Sequence, residues 1–453
     1  MVVMSSKNKI QFSLFDKLFV GILLAVFGGI VLHAPFSVGF STLFPHAELL
    51  IKSWKEILLL LAGLLALVIL YQKKQWSLLR SPVILLIAAY GVLHLLLLPI
   101  SSQGSTSAIA GLMIDLRYVL FFGLVYLAVC LYPSLRKPFL ITFFVGAFIV
   151  AAFALLQVFV LPPDILRYIG YNETTIVPYL TVDQNPDFVR ISSTLRGPNP
   201  LGAYAVVVLA LLFAAWLKDS KQSERRPLLP ISVIAIGSFV ALWASYSRSA
   251  LVAAVAAIGL VVVAIAGRRV PMRAWIVAAA VVFAGAGGLF AARDSNFVSN
   301  VLLHDNATTG PAETSNDGHA SSLAEGVDRM VHQPLGGGIG STGSASLYGD
   351  SPLIIENQYL FIAHEAGWLG LGLFLAIMFK VLRQLWRRRA DWLAVGVFAS
   401  GIGLALIGLL LPVWVDDTVA IIWWGLAAVA LATIEVKGKS DGRKIHKASK
   451  RTA

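Results

Sequence analysis

Arginine stands beside turn-forming and helix-starting residues in three separate stretches of this chain. The first stretch is 193–202, where Arg196 comes just before an apolar segment. A helix N-terminus and an arginine together make a good anion site, although the helix dipole alone disfavours a cation. Asn199 has a side chain suited to capping the helix that follows. Turn formation and capping also account for Asn199 and the adjacent prolines without any ligand.

The second stretch is 245–249, in which Arg248 lies in a very short connection between two apolar runs. A guanidinium can hold a phosphate through two parallel hydrogen bonds, so Arg248 is a candidate phosphate ligand. An arginine this close to an apolar boundary can also simply extend its charge into water. Arg190 lies near Asp187, and its sequence context favours neither binding nor a local ion pair.

The third stretch begins at Arg329 and contains the glycine-rich turn 336–340. These glycines do not open a Rossmann or P-loop unit, and no Lys-Ser/Thr pair follows them, so nucleotide hydrolysis is not expected. Arg329 can bind an anion, or it can pair with Asp328 or Glu325 on a surface helix.

The elements that carry these stretches are membrane spans. The sequence is 58% hydrophobic and 13% charged, whereas soluble domains carry about 25% charged residues. Apolar runs of about 20 residues recur, and a backbone in lipid must satisfy its own hydrogen bonds as helices. We therefore predict an all-α integral membrane protein with about 12 transmembrane helices. The predicted spans are 18–36, 55–71, 82–100, 108–132, 138–161, 199–217, 228–246, 249–267, 273–292, 359–382, 391–412 and 418–435.

Lysine and arginine concentrate at both termini and in alternate loops, which predicts that the N- and C-termini are both cytoplasmic. This distribution also explains the net charge of +12 without nucleic acid. All three arginine stretches then fall on the outer face. The predicted organisation is helices 1–5 (1–161), an outer loop (162–198), helices 6–9 (199–292), a long outer loop (293–358), helices 10–12 (359–435) and a basic tail (436–453).

The long outer loop has the composition of a flexible segment over 305–322, and a short helix is expected from Leu323 onward. The single cysteine, Cys130, excludes an intramolecular disulfide and a cysteine-based metal site. The eight histidines show no metal-ligand spacing. We therefore predict neither a metal nor a cofactor.

Four ionisable residues interrupt the spans: His94, Asp115, Arg117 and Glu365. A charge at the centre of a membrane helix costs about 2.5–3.5 kcal/mol on insertion scales, so each should face protein or water. Asp115 and Arg117 are expected to form a structural pair or to extend toward the membrane surface.

The three arginine stretches, in this order and on this face, resemble the O-antigen ligase and O-antigen polymerase superfamily over about 190–375. The ligase signature is a histidine followed by Asn, Ser or Gln, nine further residues, and Gly-x-x-Gly. Here Glu356 and Asn357 are followed by nine residues and then by Gly367-Trp368-Leu369-Gly370. The spacing is the same, and Glu356 stands where the family has histidine.

The resemblance implies a metal- and nucleotide-independent, inverting glycosyltransferase of the inner (cytoplasmic) membrane, with its active site on the periplasmic face. Such enzymes act in lipopolysaccharide and other polysaccharide biosynthesis. The donor would be an oligosaccharide on a polyprenyl pyrophosphate of the undecaprenyl type. The acceptor would be lipid A core, a growing glycan or another saccharide, and the lipid bilayer is the remaining partner. The exchange of Glu for His leaves both a polymerase and a ligase for a different acceptor open.

The resemblance also assigns the site residues. Arg248 and Arg329 match the two essential arginines of the family, which stabilise the leaving pyrophosphate. Glu356 would act as the general base for the acceptor hydroxyl. The residues expected to bind substrate are Arg196, Asn199, Arg190 and Asn357.

Two other functions compete with the glycosyltransferase. A transporter or flippase of lipid-linked saccharides would carry charges near the membrane midplane and often inverted repeats. The sequence has few such charges and no visible repeat. A non-catalytic scaffold in a polysaccharide assembly complex differs only in lacking activity.

Overall fold

The computed structural model describes residues 12–101, 103–182, 185–219, 228–267, 273, 295 and 315–432. The predicted ninth span (273–292) and the basic tail (436–453) lie outside these residues, apart from Arg273. The helices are α1 (Leu14–Gly29), α2 (His33–Leu43), α3 (Glu48–Lys52), α4 (Trp54–Lys73), α5 (Pro82–Leu97), α6 (Ser105–Leu131), α7 (Arg136–Phe159), α8 (Pro198–Asp219), α9 (Leu228–Ala244), α10 (Arg248–Ala266), α11 (Ser315–His332), α12 (Gly343–Ser346), α13 (Gln358–Arg387), α14 (Trp392–Ile407) and α15 (Asp417–Ala432).

Eight helical segments of the described chain are long and apolar enough to cross a membrane, and α9, α14 and α15 are shorter apolar helices. Each predicted span within the described residues coincides with one of these segments. The first span is longer than predicted, because α1 and α2 continue into each other through a short 3-10 turn and cover Leu14–Leu43. A mostly helical integral membrane protein is therefore confirmed, while the total of twelve spans and their orientation stay predictions.

The predicted outer loop 162–198 contains a two-stranded antiparallel sheet, a small amount of strand in an otherwise helical membrane protein. Strands β1 (Leu180–Val182) and β2 (Asn185–Arg190) pair with Leu180 opposite Arg190. The chain then joins the helical bundle directly, because the Ile191 amide donates to the Ala244 carbonyl at the end of α9. The hairpin thus places Arg190 at the end of the helical bundle.

The predicted long outer loop (293–358) contains more helix than expected. Helix α11 begins at Ser315, so the expected flexible segment 305–322 is helical from that residue onward. Packing against α13 explains the difference: Gly326 of α11 lies against Leu360 and Ile355. Helical stability in proteins comes mostly from such packing, which local composition does not reveal.

The helices that carry the arginine stretches begin or end at the same end of the bundle. Helices α8 and α14 run antiparallel, since Gly396 packs against Leu211 and Gly403 packs against Val206. Helix α10 begins beside the first turns of α8, where Gly202 meets the connection between α9 and α10. The starts of α8 and α10 and the end of α14 therefore lie together.

The opposite end of the bundle is held by ion pairs between helix ends that the sequence assigns to the cytoplasm. Asp16 at the start of α1 lies 3.3 Å from Lys73 at the end of α4. Arg136 at the start of α7 donates two hydrogen bonds, of 2.6 and 2.7 Å, to Asp391 before α14. The grouping of these ends agrees with the predicted alternation of loops.

A buried ionic cluster ties four helices together near the other end. The Asp417 carboxylate lies 2.9 Å from His33 Nε2 and 3.2 Å from Lys55 Nζ, and it also pairs with Arg117. A second carboxylate, Glu56, lies 3.1 Å from Lys55 and 3.5 Å from Arg117. The cluster joins α2, α4, α6 and α15.

The four intramembrane ionisable residues all face protein, as predicted: none exposes more than 6% of its surface. The expected pair between Asp115 and Arg117 is wrong. Residues two apart on a helix point to different sides, so Arg117 reaches the ionic cluster while Asp115 faces Glu365 and His94. The His94 Nε2 atom lies 3.6 Å from Asp115 Oδ2, and Asp115 is within electrostatic range of Glu365.

Candidate active site

Two of the predicted binding residues are joined directly. Arg190, the last residue of β2, donates from Nη2 to Asn199 Oδ1 over 2.7 Å. Its Nε donates to the Ser245 carbonyl over 2.9 Å. One guanidinium therefore links the hairpin, the first turn of α8 and the connection between α9 and α10. Both of these acceptors are uncharged oxygen atoms.

Asn199 does not cap α8, contrary to the sequence prediction. Helix α8 begins at Pro198, and the Leu201 amide already donates to the Gly197 carbonyl. Proline is well suited to the first helical position, because its φ is preset and it has no amide hydrogen to satisfy. Asn199 is thus inside the first turn, and its side-chain oxygen is available to hold Arg190.

Arg248 is the first residue of α10 and is half-buried. It follows directly on the connection that receives Arg190. That connection is sharply folded: Tyr246 has a φ of 47°, which is rare for a residue with a side chain. The Ser247 amide donates to Ser245 Oγ over 3.3 Å and closes the turn. The fold therefore places two arginines around one tight turn beside two helix N-termini.

Arg196 is exposed in the loop before α8, and its charge acts on Asp416, which precedes α15. Burial raises the pKa of Asp416, and the positive charges of Arg196 and Arg117 oppose that rise. Sequence analysis missed Asp417 and its neighbour Asp416. An available signal was the adjacent carboxylates at the start of an apolar run.

Asn357 fixes the start of α13. Its Oδ1 accepts hydrogen bonds from the amides of Tyr359 (2.9 Å) and Leu360 (3.0 Å), as a helix cap does. Its Nδ2 donates to the Leu409 carbonyl over 2.7 Å, just beyond α14. With both ends of the amide engaged, Asn357 is placed to position Glu356.

Glu356 is half-buried and lies at the same end of the bundle as Arg190 and Arg248. Its amide donates to Ser322 Oγ of α11 over 3.2 Å. The adjacent cap ties it to the end of α14, which lies beside the starts of α8 and α10. Residues 356–357 therefore lie between α11 and the end of α14.

Arg329 belongs to a different element from Arg190 and Arg248. It lies on α11, where its Nη2 is 2.7 Å from Glu325 Oε1 with 32% of its side chain exposed, so the surface pair considered from the sequence is present. Arg329 also acts electrostatically on His364 of α13. At 1.5 Å per residue, His364 lies about 10 Å along α13 from the Asn357 cap. Arg329 is thus within electrostatic range of the second turn of α13.

The glycine-rich turn, weak evidence in the sequence, packs between α6 and α13. Gly336, Gly338 and Gly340 all have φ near +80° to +92°. Ser107 Oγ at the start of α6 donates to the Gly340 carbonyl over 2.6 Å. The Thr342 amide donates to Glu365 Oε1 over 3.2 Å. These contacts therefore fix the position of the glycine-rich turn between α6 and α13.

We expect Gly340→Ala to destabilise the protein by about 1–3 kcal/mol, because the added methyl would collide with the Ser107 carbonyl and φ is +80°. Thermal unfolding in detergent measures the effect. Gly259→Ala is the matched control, since nothing lies within 4 Å of its added Cβ. Equal melting temperatures for the two variants would contradict the packing described for this turn.

The comparison with known protein families bears on this part of the chain. The O-Antigen ligase family profile matches residues 233–375. No curated protein matches the chain. The matched region contains Arg248, Arg329 and Glu356, whereas Arg190, Arg196 and Asn199 precede it. Residues 233–375 of this chain are thus similar to the O-Antigen ligase family.

Proposed function

We propose that the protein transfers a saccharide from a polyprenyl-diphosphate carrier to an acceptor sugar at the outer face of the inner membrane. The observation that carries the proposal is the gathering of Arg190, Arg248 and Glu356 at one end of the bundle, within or beside an O-antigen ligase domain. The acceptor is a lipid A core sugar, a growing glycan or another saccharide. The experiment that tests the proposal is transfer from a purified donor.

The donor diphosphate binds at the end of the bundle where α8 and α10 begin. Arg248 lies at the start of α10, and the Arg190 guanidinium is held over the neighbouring turn. Guanidinium groups match phosphate oxygens in geometry and charge, and helix N-termini direct amide hydrogens toward an anion. In this proposal these groups neutralise the diphosphate and no metal ion is required. Arg196 in the adjacent exposed loop contacts the saccharide or the distal phosphate.

Transfer then proceeds with inversion in one displacement. The acceptor hydroxyl attacks the anomeric carbon, its proton passes to the Glu356 carboxylate, and the bond between carbon and the diphosphate oxygen breaks. The electron pair of that bond leaves with the polyprenyl diphosphate. Arg248 and Arg329 stabilise the negative charge that develops on it. Asn357 holds Glu356 in place through its cap on α13.

We expect Glu356→Gln to lower the transfer rate by about 10²–10⁴-fold, the usual contribution of a general base. Glu356→His should recover part of the loss, since histidine occupies this position in the family signature. The measurement is initial rate at saturating donor. Glu48→Gln is the control, because Glu48 is an exposed carboxylate of α3 whose ion pair among the described residues is with its helical neighbour Lys52. Full activity of Glu356→Gln would mean that Glu356 is not the base.

A transporter of lipid-linked saccharides is the second candidate. His94, Asp115 and Glu365 meet inside the bundle between α5, α6 and α13, and buried ionisable groups often line transport pathways. Movement of a fluorescent lipid-linked saccharide between leaflets of proteoliposomes, without transfer to any acceptor, would favour this candidate.

A further inference from the structure

His364 is a buried side chain with an unused polar atom. It exposes 4% of its surface, and its Nδ1 has no hydrogen-bond partner in the described part of the chain. Its backbone carbonyl accepts a hydrogen bond from the Gly337 amide. Buried polar groups in folded proteins are rarely left without a partner, so such a group calls for an explanation.

The ring lies in a space that the glycine-rich turn leaves for it. A Cβ at Gly337 would lie 2.9 Å from His364 Cε1 and 3.0 Å from Nε2. Any residue other than glycine would therefore push against the imidazole. Ser341 Oγ borders the same space, 3.2 Å from that Cβ position, but it donates its hydrogen to the Gly338 carbonyl.

Three elements pack around the ring, and the charged groups that act on it belong to one of them, α11. On α11, Arg329 and Glu325 both act electrostatically on His364. On α13 itself the next residue, Glu365, turns away toward the Thr342 amide and Asp115. The glycine-rich turn contributes no ionisable side chain next to the ring. Arg329 is thus the cation that shares the neighbourhood of the unpartnered imidazole.

We propose that His364 and Arg329 form one diphosphate subsite, in which the imidazole donates a hydrogen bond to the leaving phosphate. The inference rests on the proposed function and refines it. Arg329 is paired with Glu325 and supplies one guanidinium. His364 adds a donor at the same level of α13, about 10 Å from the cap that positions the proposed base.

Charge and protons are conserved in the transfer step when His364 takes part. Breaking the bond between the anomeric carbon and oxygen adds one negative charge to the departing polyprenyl diphosphate. An imidazolium at His364 donates its hydrogen bond, or its proton, to that phosphate oxygen and becomes neutral in the second case. The acceptor proton goes separately to Glu356. Charge-assisted hydrogen bonds of this kind are about twice as strong as neutral ones.

The test is calorimetric binding of geranylgeranyl diphosphate to the full-length protein in nanodiscs at pH 6 and pH 8. Two buffers of different ionisation enthalpy report the protons exchanged. Arginines alone would lower the phosphate pKa and make the ligand release protons on binding. A histidine that becomes charged against the phosphate takes a proton up. We expect net proton uptake in the wild-type protein.

Variants identify the side chain that takes up the proton on diphosphate binding. His364→Gln should weaken binding about tenfold at pH 6, the size of one charge-assisted hydrogen bond, and much less at pH 8. The free diphosphate has the same protonation state in experiments on the wild-type and His364→Gln proteins. The difference in pH dependence between the two proteins therefore reports the imidazole. His332→Gln is the matched control, because His332 is exposed on α11 within one turn of Arg329. It should behave as wild type.

The outcomes are distinguishable. A wild-type protein that binds and transfers, with a His364→Gln deficit that is equal at both pH values or absent, overturns this inference and leaves the proposed function standing. If His364→Gln does not fold, absence of proton uptake in the wild-type protein also overturns it. A wild-type protein that does not bind the diphosphate at all overturns both proposals.

Discussion

Replacing Arg248 by alanine is expected to lower saccharide transfer by about 10²–10³-fold, the cost of removing one preorganised donor from a charge that develops in the transition state. Arg248 begins α10 at the tight turn that also receives Arg190, so its loss empties the centre of the proposed diphosphate site. Arg329→Ala should produce a loss of similar size from the other side of the leaving group. Initial rates with a purified lipid-linked donor measure both effects.

The control for these variants is Arg383→Ala. Arg383 is an exposed arginine near the far end of α13, on the side predicted to be cytoplasmic. Its removal changes net charge by the same amount but should leave transfer unchanged. All three variants should accumulate in the membrane like the wild-type protein, because none of these side chains lies in the buried core. Normal product from both Arg248→Ala and Arg329→Ala would contradict the proposed mechanism.

The largest expected effect on stability is that of Arg117→Ala. This change leaves the buried Glu56 and the partly buried Asp417 with only Lys55 and His33 as cationic partners in the described part of the chain. Breaking a buried ion pair from one side typically costs about 3–5 kcal/mol. The midpoint of thermal or denaturant unfolding in detergent should fall accordingly. Because α15 carries Asp417 and precedes no other described helix, its packing against α6 is expected to loosen first.

Lys52→Ala provides the comparison for that loss. Lys52 pairs with Glu48 one turn away on α3, but about half of each side chain is exposed, and exposed pairs contribute roughly 0–1 kcal/mol. Loss of transfer activity in Arg117→Ala should follow its loss of stability. Equal stability of the two variants would show that the buried cluster is not what holds α6 to α15.

The spans were predictable from the sequence because the membrane sets their length. Helix α4 was expected at 55–71 and is found at Trp54–Lys73, and α8 was expected at 199–217 and is found at Pro198–Asp219. A run of apolar residues long enough to cross lipid has few alternatives, whatever its neighbours. The hairpin β1–β2 and the early start of α11 depend instead on tertiary contacts, and composition misjudged both.

The site was predictable in its residue types but not in its contacts. The types and spacing around Arg248 and Glu356 predicted that these residues share one end of the bundle. The bond from Arg190 to Asn199 depends on a hairpin that no pattern announced. Arg117 and Asp417 meet from distant parts of the chain. His364 was passed over because a lone histidine in an apolar helix carries no signal until its neighbours are known.

The most direct test of the central claim uses the purified protein in nanodiscs with a polyprenyl-diphosphate oligosaccharide. Reactions are run in EDTA without nucleotide, with and without a separate saccharide acceptor, and products are separated by gel and mass spectrometry. Our account predicts transfer that is lost in Arg248→Ala: a ladder from donor alone if the protein is a polymerase, or a single addition to the acceptor if it is a ligase. No product with any acceptor, together with movement of the donor between leaflets, would contradict the account and identify a transporter.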